Sequence, residues 1–249
     1  MTITADTHVA EIAIADPGTI KVFQQHHIDF CCGGRLPLAE ACARHGLDAE
    51  VILAELRAVG ESPAPEPRWE TEPLTALIEH IQARYHRPLR DELPRLQAML
   101  AKVASRHGQH LPEVIPPLAE TFEGLQEELL AHMAKEDAVL FPAIVASEGA
   151  LAHDGNPWQP WLAIEGPVPV MEEEHESAGA ALAKMRQLTG GYAAPEWACP
   201  TFRGLYHGLA QLEADMHVHV HLENHVLFPR AVMLAQALAA RAERPLGVR

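Results

Sequence analysis

The chain has 249 residues and a formal net charge of −15, with 34 acidic side chains against 19 Lys and Arg. This acidic balance argues against a nucleic-acid partner or an anionic membrane surface, because both repel negative charge. No apolar run approaches the roughly 18–20 residues that a membrane-spanning helix needs, and the first residues lack the features of a signal peptide, so we expect a cytoplasmic protein.

The length allows one large core and a small additional domain, and abundant Ala and Leu favour helices. We therefore predict an all-α protein whose first domain, residues 1–60, is small and helical. Gly46 is expected to end its third helix and Asp48 to cap its fourth. The predicted helices of this domain span residues 7–15, 17–27, 36–45 and 48–59.

The small domain carries one chemically suggestive segment, Cys31-Cys32-Gly33-Gly34, shortly before the helix that Pro37 opens. Glycines permit a tight turn, and a thiol near a helix N-terminus tends to have a lowered pKa. Adjacent cysteines form at best a strained disulfide, so we expect a reduced, exposed pair. We assign Cys31 and Cys32 as the catalytic candidates. Such a pair can bind a soft metal, exchange electrons or take up nitric oxide, unless both are simply small buried residues of a turn.

A Pro-rich, acidic stretch at 61–72 predicts an extended linker, and residues 73–241 behind it predict a four-helix bundle. Pro88 and Pro94 fall inside the first long helix, so we expect a kink just past His86. A long surface connection is expected at 149–165. The four bundle helices are predicted near residues 73–105, 113–147, 166–189 and 197–241.

One motif with metal-ligand spacing occurs twice in the bundle. The segments that begin at His132 and at His219 both read H-x-x-x-E-[D/N]-x-V-L-F-P. A spacing of four places each imidazole and the following carboxylate, Glu136 or Glu223, on one helix face. Two such helices facing each other would present two His and two Glu to a shared point, as in bundles that hold two iron or manganese ions.

A lone histidine precedes each copy at a similar distance, His86 before the first and His175 before the second. This matched spacing indicates a duplicated helical hairpin. All candidates fall on the buried stripe, where positions alternate by threes and fours. One His-Glu pair alone is usually a surface pair, and one core histidine is usually structural. The joint pattern nevertheless predicts a dinuclear metal site, since charged groups in a core need a partner. The predicted ligands are His86, His132, Glu136, His175, His219 and Glu223.

Two acidic residues are candidates to accept a hydrogen bond from the outer ring nitrogen of a ligand histidine. Glu128 and Asp215 each lie one turn before a motif histidine. The alternative is that these two residues are ordinary surface acids. Glu174, beside His175, is a weaker candidate for a polar group near the site.

The fourth helix carries three more histidines, His217, His221 and His225, which form a row of their own. At 100° per residue this row lies on the opposite side of the helix from His219. We therefore expect the row to face solvent and to respond mildly to pH.

The predicted ligand set suits iron or manganese, whereas thiolates would suggest zinc or an iron–sulfur cluster. The one bundle cysteine, Cys199, lies off the face of the candidate ligands. Two histidines and two bridging carboxylate oxygens leave each ion short of six ligands. Water, an oxo bridge or a small diatomic molecule then has room to bind. Spacing alone leaves iron and manganese open.

From about residue 8 to residue 233, the chain resembles the bacterial repair-of-iron-centres family. The combination of a double-Cys-double-Gly turn with a hemerythrin-like bundle is specific, whereas the turn alone is not. The motifs that carry the resemblance are Cys31-Cys32-Gly33-Gly34, Arg84-Tyr85-His86, His132/Glu136, Glu174-His175 and His219/Glu223.

The resemblance implies an up-down, hemerythrin-like bundle with two non-haem iron ions in an oxo-bridged centre, and thus iron in preference to manganese. Carried over residue by residue, it implies one iron between the first two histidines, one iron between the last two, and two bridging carboxylates. The implied pairs are His86 with His132 and His175 with His219, bridged by Glu136 and Glu223.

The resemblance also implies a role in restoring iron–sulfur clusters damaged by nitric oxide or peroxide. The implied partners are damaged iron–sulfur proteins, with nitric oxide or oxygen as small ligands. Gly179 stands where oxygen-carrying hemerythrins have an additional histidine, which disfavours oxygen storage and favours iron release or chemistry on diatomic molecules.

Our leading hypothesis is a stress-response di-iron protein that donates iron to damaged clusters, with Cys31 and Cys32 helping by docking, by reduction or by relaying metal. The alternatives are a di-iron nitric oxide or peroxide reductase and a hemerythrin-like oxygen or redox sensor. An apolar seam on the small domain would permit a homodimer.

Overall fold

The computed structural model of the protein describes residues 3–59, 67–150 and 159–242. In these ranges the regular structure is helical and contains no strand, which confirms the predicted all-α class. Within the same ranges no helix is long and apolar enough to cross a membrane.

Two predicted connections fall partly on residues outside those ranges. The structure describes only residues 67–72 of the predicted linker, and it omits residues 151–158 of the predicted surface connection. The described end of the linker is held by Arg230, whose guanidinium donates to the carbonyls of Trp69 and Glu72, each at 2.6 Å.

The small domain consists of four short helices around an apolar core. Gly46 has a φ of +66°, which favours glycine and ends the third helix as predicted. The carboxylate of Asp48 accepts the N–H of Glu50 at 2.9 Å and so caps the fourth helix. Phe23 and Phe30 are the largest side chains of this core. The helices are Val9–Ala15 (α1), Ile20–Gln25 (α2), Leu38–Arg44 (α3) and Ala49–Val59 (α4).

The bundle has four long helical segments, close to the predicted bounds. In sequence order each segment packs on the next, and the fourth packs back on the first. A buried apolar stripe along each segment forms one continuous core, as the spacing by threes and fours predicts. The helices are Leu74–Ile81 (α5), Arg87–His107 (α6), Ile115–Lys135 (α7), Phe141–Ala150 (α8), Pro167–Leu188 (α9), Pro200–Leu222 (α10) and Phe228–Ala242 (α11).

Wider π-helical turns join α5 to α6, α7 to α8 and α10 to α11. Each turn is followed, after one intervening residue, by a proline, which lacks an N–H and would collide with the carbonyl four residues earlier in a regular α-helix. The residue before each proline instead donates its N–H to the carbonyl five residues back. The turns are Gln82–His86, Glu136–Leu140 and Glu223–Leu227, and the prolines are Pro88, Pro142 and Pro229.

Where the sequence predicted a kink just past His86, the structure has a π-helical turn that ends at His86. Pro94, by contrast, lies inside α6 without ending it. The structure differs from the predicted kink because a helix can accommodate a proline by widening the turn before it as well as by bending.

The N-terminus of α5 is capped by a carboxylate from α8. Glu148 accepts the N–H of Leu74 at 2.7 Å, the N–H of Thr75 at 2.9 Å and the hydroxyl of Thr75 at 2.7 Å. Burial raises the pKa of Glu148, but these hydrogen bonds outweigh burial and hold the pKa below its ordinary value of 4.5. The contact fastens the start of the bundle to the end of its second long segment.

We expect Glu148→Ala to lower the free energy of unfolding by about 1–2 kcal/mol at pH 7, the usual effect of losing a helix cap. The folded pKa is depressed, so the contribution is complete above the ordinary Glu pKa and disappears as the pH falls through the folded pKa. Urea denaturation at pH 7 and below pH 4 measures both effects. Glu123→Ala, at an exposed position of α7, is the matched control, and an equal loss in both variants would contradict the cap.

Candidate metal centre

The six predicted ligands meet inside the bundle, and each is at most 4% exposed. His86 ends the first π-helical turn, while Glu136 and Glu223 begin the second and third. Such turns recur at functional sites because they alter the direction of side chains within a helix. The backbone irregularities of the bundle therefore coincide with the predicted ligands.

The four histidines form two close pairs. Nε2 of His86 lies 3.1 Å from Nε2 of His219, and Nε2 of His132 lies 2.9 Å from Nε2 of His175. An imidazole nitrogen binds a metal ion at about 2.1 Å, so two ligands at right angles on one octahedral ion are about 3.0 Å apart. Both separations match two ligands of one ion.

These pairs differ from the pairs that the family resemblance implies. The expected partner of His86 was His132, and that of His175 was His219; the structure instead joins the first segment to the fourth and the second to the third. The two hairpins pack so that the lone histidine of each faces the motif histidine of the other. Sequence spacing cannot distinguish these arrangements, because both place four histidines in one core.

The two glutamates lie between the histidine pairs. Oε2 of Glu136 is 3.4 Å from Nε2 of His86 and 3.3 Å from Nε2 of His132. Oε1 of Glu223 is 3.0 Å from Nε2 of His219, and its Oε2 is 3.2 Å from Nε2 of His175. Each carboxylate thus reaches one histidine of each pair, which is the placement that a bridge between two ions requires.

The hydrogen bonding of the core fits cations better than it fits a closed network of side chains. Neither oxygen of Glu136 has a hydrogen-bond partner among the described residues, and neither has Oε2 of Glu223. The nearest histidine nitrogens lie 3.2 to 3.4 Å from these oxygens. A buried carboxylate without hydrogen bonds is costly unless a cation neutralises it.

The electrostatics of the site point the same way. Burial lowers the pKa of His132, but Glu136 and Glu223 outweigh burial and raise that pKa to about 9. Burial also lowers the pKa of His86, but Glu223, Glu136 and Asp137 outweigh burial and raise that pKa. Burial raises the pKa of Glu223, yet His219 and the neighbouring imidazoles bring it well below its ordinary value. The carboxylates therefore demand positive charge, which protons supply here and metal ions would supply by displacing them.

The outer nitrogens of three histidines donate to fixed acceptors. Nδ1–H of His86 donates to Asp137 at 3.0 Å, that of His132 to Glu174 at 2.7 Å, and that of His175 to the amide oxygen of Asn224 at 2.7 Å. These bonds keep one proton on Nδ1, so loss of the other proton, as metal binding requires, directs the lone pair of each Nε2 toward the site.

Both predicted acceptors were wrong. Glu128 accepts from Ser177 at 3.1 Å, and Asp215 pairs with Arg84 at 2.9 Å. Glu174, predicted only as a polar group near the site, accepts from His132. The true acceptors of the lone histidines are the [D/N] residues of the motif, Asp137 and Asn224. The repeated D/N at one position was the signal that could have identified them.

Charged side chains hold the two carboxylate acceptors in place. Arg90 lies 2.6 Å from Asp137, and Lys135 pairs with Glu174. Burial raises the pKa of each acid, but these cations outweigh it and the pKa of each is lowered. Asn224, the counterpart of Asp137, is neutral, and its amide nitrogen lies 3.3 Å from the carbonyl oxygen of Cys31. His175 is thus connected to the small domain.

His219 is supported by stacking. Its ring lies parallel to that of Tyr85, with centroids 4.9 Å apart, and its buried Nδ1 has no hydrogen-bond partner among the described residues. Each pair of histidines therefore contains one imidazole fixed by a carboxylate and one supported by a neutral group.

The row of extra histidines does not face solvent, contrary to expectation. His221 donates from Nδ1 to the carbonyl of Phe30 at 3.0 Å, and His225 donates from Nε2 to the carbonyl of Cys31 at 2.7 Å. The ring of His217 meets Phe30 edge-on. Burial, aided by the charge of His225, lowers the pKa of His221 to about 4. The helical period gave the correct face, but the small domain covers that face.

The double-cysteine turn lies against the bundle. Cys31 is buried, Cys32 is partly exposed, and Sγ of Cys32 lies 3.5 Å from the carbonyl oxygen of His175. The lowered pKa that we predicted is wrong for Cys31. Its thiol contact with Cys32, followed by burial, raises the pKa of Cys31 well above the ordinary value.

Gly179 faces the same turn. A Cβ atom at this position would lie 3.5 Å from Sγ of Cys32. The position at which oxygen carriers have an additional histidine is therefore next to a thiol, and an imidazole there would compete with Cys32 for space.

Comparison with known proteins agrees with this architecture. Residues 77–231 match the family described as "Hemerythrin HHE cation binding domain", and residues 5–60 match the family described as "Domain of Unknown function (DUF542)". Relatives named "Iron-sulfur cluster repair protein YtfE" occur in Yersinia pseudotuberculosis serotype IB (strain PB1/+) and Yersinia pestis (strain Pestoides F). Each is 40% identical over 221 residues, which cover 89% of this chain and 94% of the relative.

We expect Asn224→Asp to increase the rate at which Cys32 reacts with an aromatic disulfide about two- to tenfold. Aspartate retains an acceptor for His175 but cannot donate to the carbonyl of Cys31, and such a hydrogen bond is worth about 0.5–1.5 kcal/mol. Stopped-flow absorbance on folded protein measures the rate.

The matched control is Asp137→Asn, the reciprocal exchange at the same motif position of the other hairpin. It alters the partner of His86 and not that of His175, so the thiol rate should stay at the wild-type value. Equal rates in wild type and Asn224→Asp would contradict the connection between the turn and His175.

Proposed function

Because the chain belongs to the family of iron–sulfur cluster repair proteins with a hemerythrin-like domain, we propose that it repairs iron–sulfur clusters damaged by nitrosative or oxidative stress by donating iron. The donated iron would come from two non-haem ions held by the six core residues, as the oxo-bridged centre of the family that the chain resembles implies. The activity belongs in the cytoplasm, where thiols such as Cys31 and Cys32 stay reduced.

The observation that carries the proposal is the position of the two buried carboxylates. Glu136 and Glu223 each reach a histidine of both pairs, and three of their four oxygens lack hydrogen bonds among the described residues. Imidazole and carboxylate donors without a thiolate suit iron or manganese, and the family to which the chain belongs favours iron.

In the proposed site, His86 and His219 hold one iron, and His132 and His175 hold the other. Carboxylate partners fix His86 and His132 and make them stronger ligands, since such acceptors raise the basicity of an imidazole. His175 and His219 have neutral support, so each iron has one firm and one weaker imidazole. This asymmetry suits a metal that is delivered better than one that is retained.

Donation requires a route out of the bundle core. His175, one of the weaker ligands, is also the ligand whose carbonyl lies 3.5 Å from the partly exposed thiol of Cys32. We therefore place the exit on this side of the bundle and include Cys31 and Cys32 in the mechanism. The donor set also fits a di-iron nitric oxide or peroxide reductase, since four histidines and two carboxylates would leave two ions short of six protein ligands each.

The central prediction couples repair to loss of iron. Iron-loaded protein, incubated anaerobically with an aconitase-type enzyme whose cluster nitric oxide has destroyed, should restore activity while its own iron falls in proportion. Iron analysis after separation of the two proteins measures the transfer. Glu136→Gln, which keeps the shape of the side chain but removes its charge, should hold at most about half of the iron and repair correspondingly less.

The control variant is Glu128→Gln, which alters an acid that contacts Ser177 outside the core. It should load and repair like wild type. Repair without any loss of iron, or production of nitrous oxide over many turnovers with no repair, would reject donation in favour of an enzyme. Equal repair by a Cys31→Ser/Cys32→Ser variant would remove the thiols from the mechanism.

A further inference from the structure

A second group of potential metal ligands lies outside the bundle core, in the double-cysteine turn. Sγ of Cys31 lies 3.7 Å from Sγ of Cys32 and 3.3 Å from Oδ1 of Asp29. The three ligand atoms all lie within 4.8 Å of one another. Neither cysteine forms a disulfide.

These separations fit one tetrahedral ion. A thiolate binds a metal such as zinc at about 2.3 Å, which places two thiolates of one tetrahedral ion about 3.8 Å apart. The measured distance between the sulfurs of Cys31 and Cys32 is 3.7 Å. With a carboxylate oxygen bound at about 2.1 Å, the expected distance between oxygen and sulfur is about 3.6 Å, near the 3.3 Å observed for Asp29.

The turn is held in this geometry by its own backbone. Oδ1 of Asp29 accepts the N–H groups of Cys31 and Cys32, and Oδ2 accepts that of Gly33, each at 2.9 Å. A Cβ at Gly34 would lie 2.5 Å from the carbonyl oxygen of Phe30, so only glycine fits there. The carboxylate is therefore fixed beside both sulfurs.

The bundle holds the turn from the other side. The carbonyl of Cys31 accepts hydrogen bonds from His225 and Asn224, at 2.7 Å and 3.3 Å. A cleft of about 650 Å³ between the small domain and the bundle is lined in part by Asp29, Cys31 and Cys32. A metal in the turn would thus have three protein ligands and one position open to the cleft, where water or another ligand can bind as in catalytic zinc sites.

We propose that Asp29, Cys31 and Cys32 form a second metal site, which takes one thiolate-binding divalent cation such as Zn²⁺ or Fe²⁺. Binding forms two metal–sulfur bonds and one metal–oxygen bond, and the two thiols release their protons to solvent. The S–H···S contact between the cysteines is then replaced by a shared cation. Thiolates select such ions over Mg²⁺ or Ca²⁺.

Metal binding at this site is tested separately from repair, but the use that we infer for the site rests on the proposed repair function. The turn contacts His175 in two ways. Sγ of Cys32 lies 3.5 Å from the carbonyl oxygen of His175, and Asn224 joins the carbonyl of Cys31 to Nδ1 of His175. An iron ion released from His175 would meet the thiolate site next. The turn would then act as a relay between the bundle and the cleft.

The test uses the protein as purified, titrated anaerobically with Co²⁺ while its iron content is followed. We expect one Co²⁺ per chain to produce thiolate-to-cobalt charge-transfer absorption in the near ultraviolet, which imidazole and carboxylate ligands cannot generate. Cys31→Ser and Cys32→Ser should each weaken this absorption, and the Cys31→Ser/Cys32→Ser variant should abolish it. Asp29→Asn, which keeps an acceptor for the backbone, should weaken Co²⁺ binding about tenfold through the lost charge.

Cys199→Ser is the matched control, because Cys199 is a partly buried thiol at the start of α10, and the absorption should be unchanged in this variant. Absence of the band in folded wild-type protein, or its survival in the Cys31→Ser/Cys32→Ser variant, would overturn the proposal. Neither result depends on how much iron the bundle holds or on whether the protein repairs clusters.

Discussion

The structure depends on one electrostatic constraint, the burial of two carboxylates and four imidazoles at the centre of a helical bundle. Glu136 and Glu223 are fully buried, and three of their four carboxylate oxygens have no hydrogen-bond partner among the described residues. Well-packed apolar side chains of similar volume are often at least as stabilising as such buried charged groups. Two cations account for both the residue types and the distances, since the separations of the histidine nitrogens match ligands of a common ion.

The duplicated motif is symmetric in its inner ligands and asymmetric in their supports. The same motif position holds Asp137 in one hairpin and Asn224 in the other. The aspartate, paired with Arg90, fixes His86, whereas the asparagine accepts from His175 and also donates to Cys31. One change from an acid to an amide therefore connects His175, and with it one half of the candidate metal centre, to the small domain.

The parts of the structure that follow from local periodicity were predictable. The buried stripe located the four long helices within a few residues, and it placed all six candidate ligands in the core. Gly46 and Asp48 ended and began helices as expected, because their effects depend on nearby backbone only. The π-helical turns were not predicted, although the proline of the V-L-F-P segment is the signal that accompanies two of them.

The features that the sequence did not reveal depend on contacts between distant segments. The pairing of His86 with His219 follows from how the two hairpins interlock, which spacing along the chain does not determine. The same applies to His221 and His225, which lie on the predicted face but are covered by the small domain. The raised pKa of Cys31 arises from its neighbour and from burial, where the sequence alone indicated exposure.

The most direct measurement is an anomalous difference map at the iron absorption edge, from crystals of protein purified without an affinity tag. The account predicts two peaks, one between Nε2 of His86 and Nε2 of His219 and one between Nε2 of His132 and Nε2 of His175. Carboxylate oxygens of Glu136 and Glu223 should lie within bonding distance of both peaks. A map without peaks, in which the six side chains hydrogen-bond to one another or to water even after soaking in ferrous iron, would contradict it.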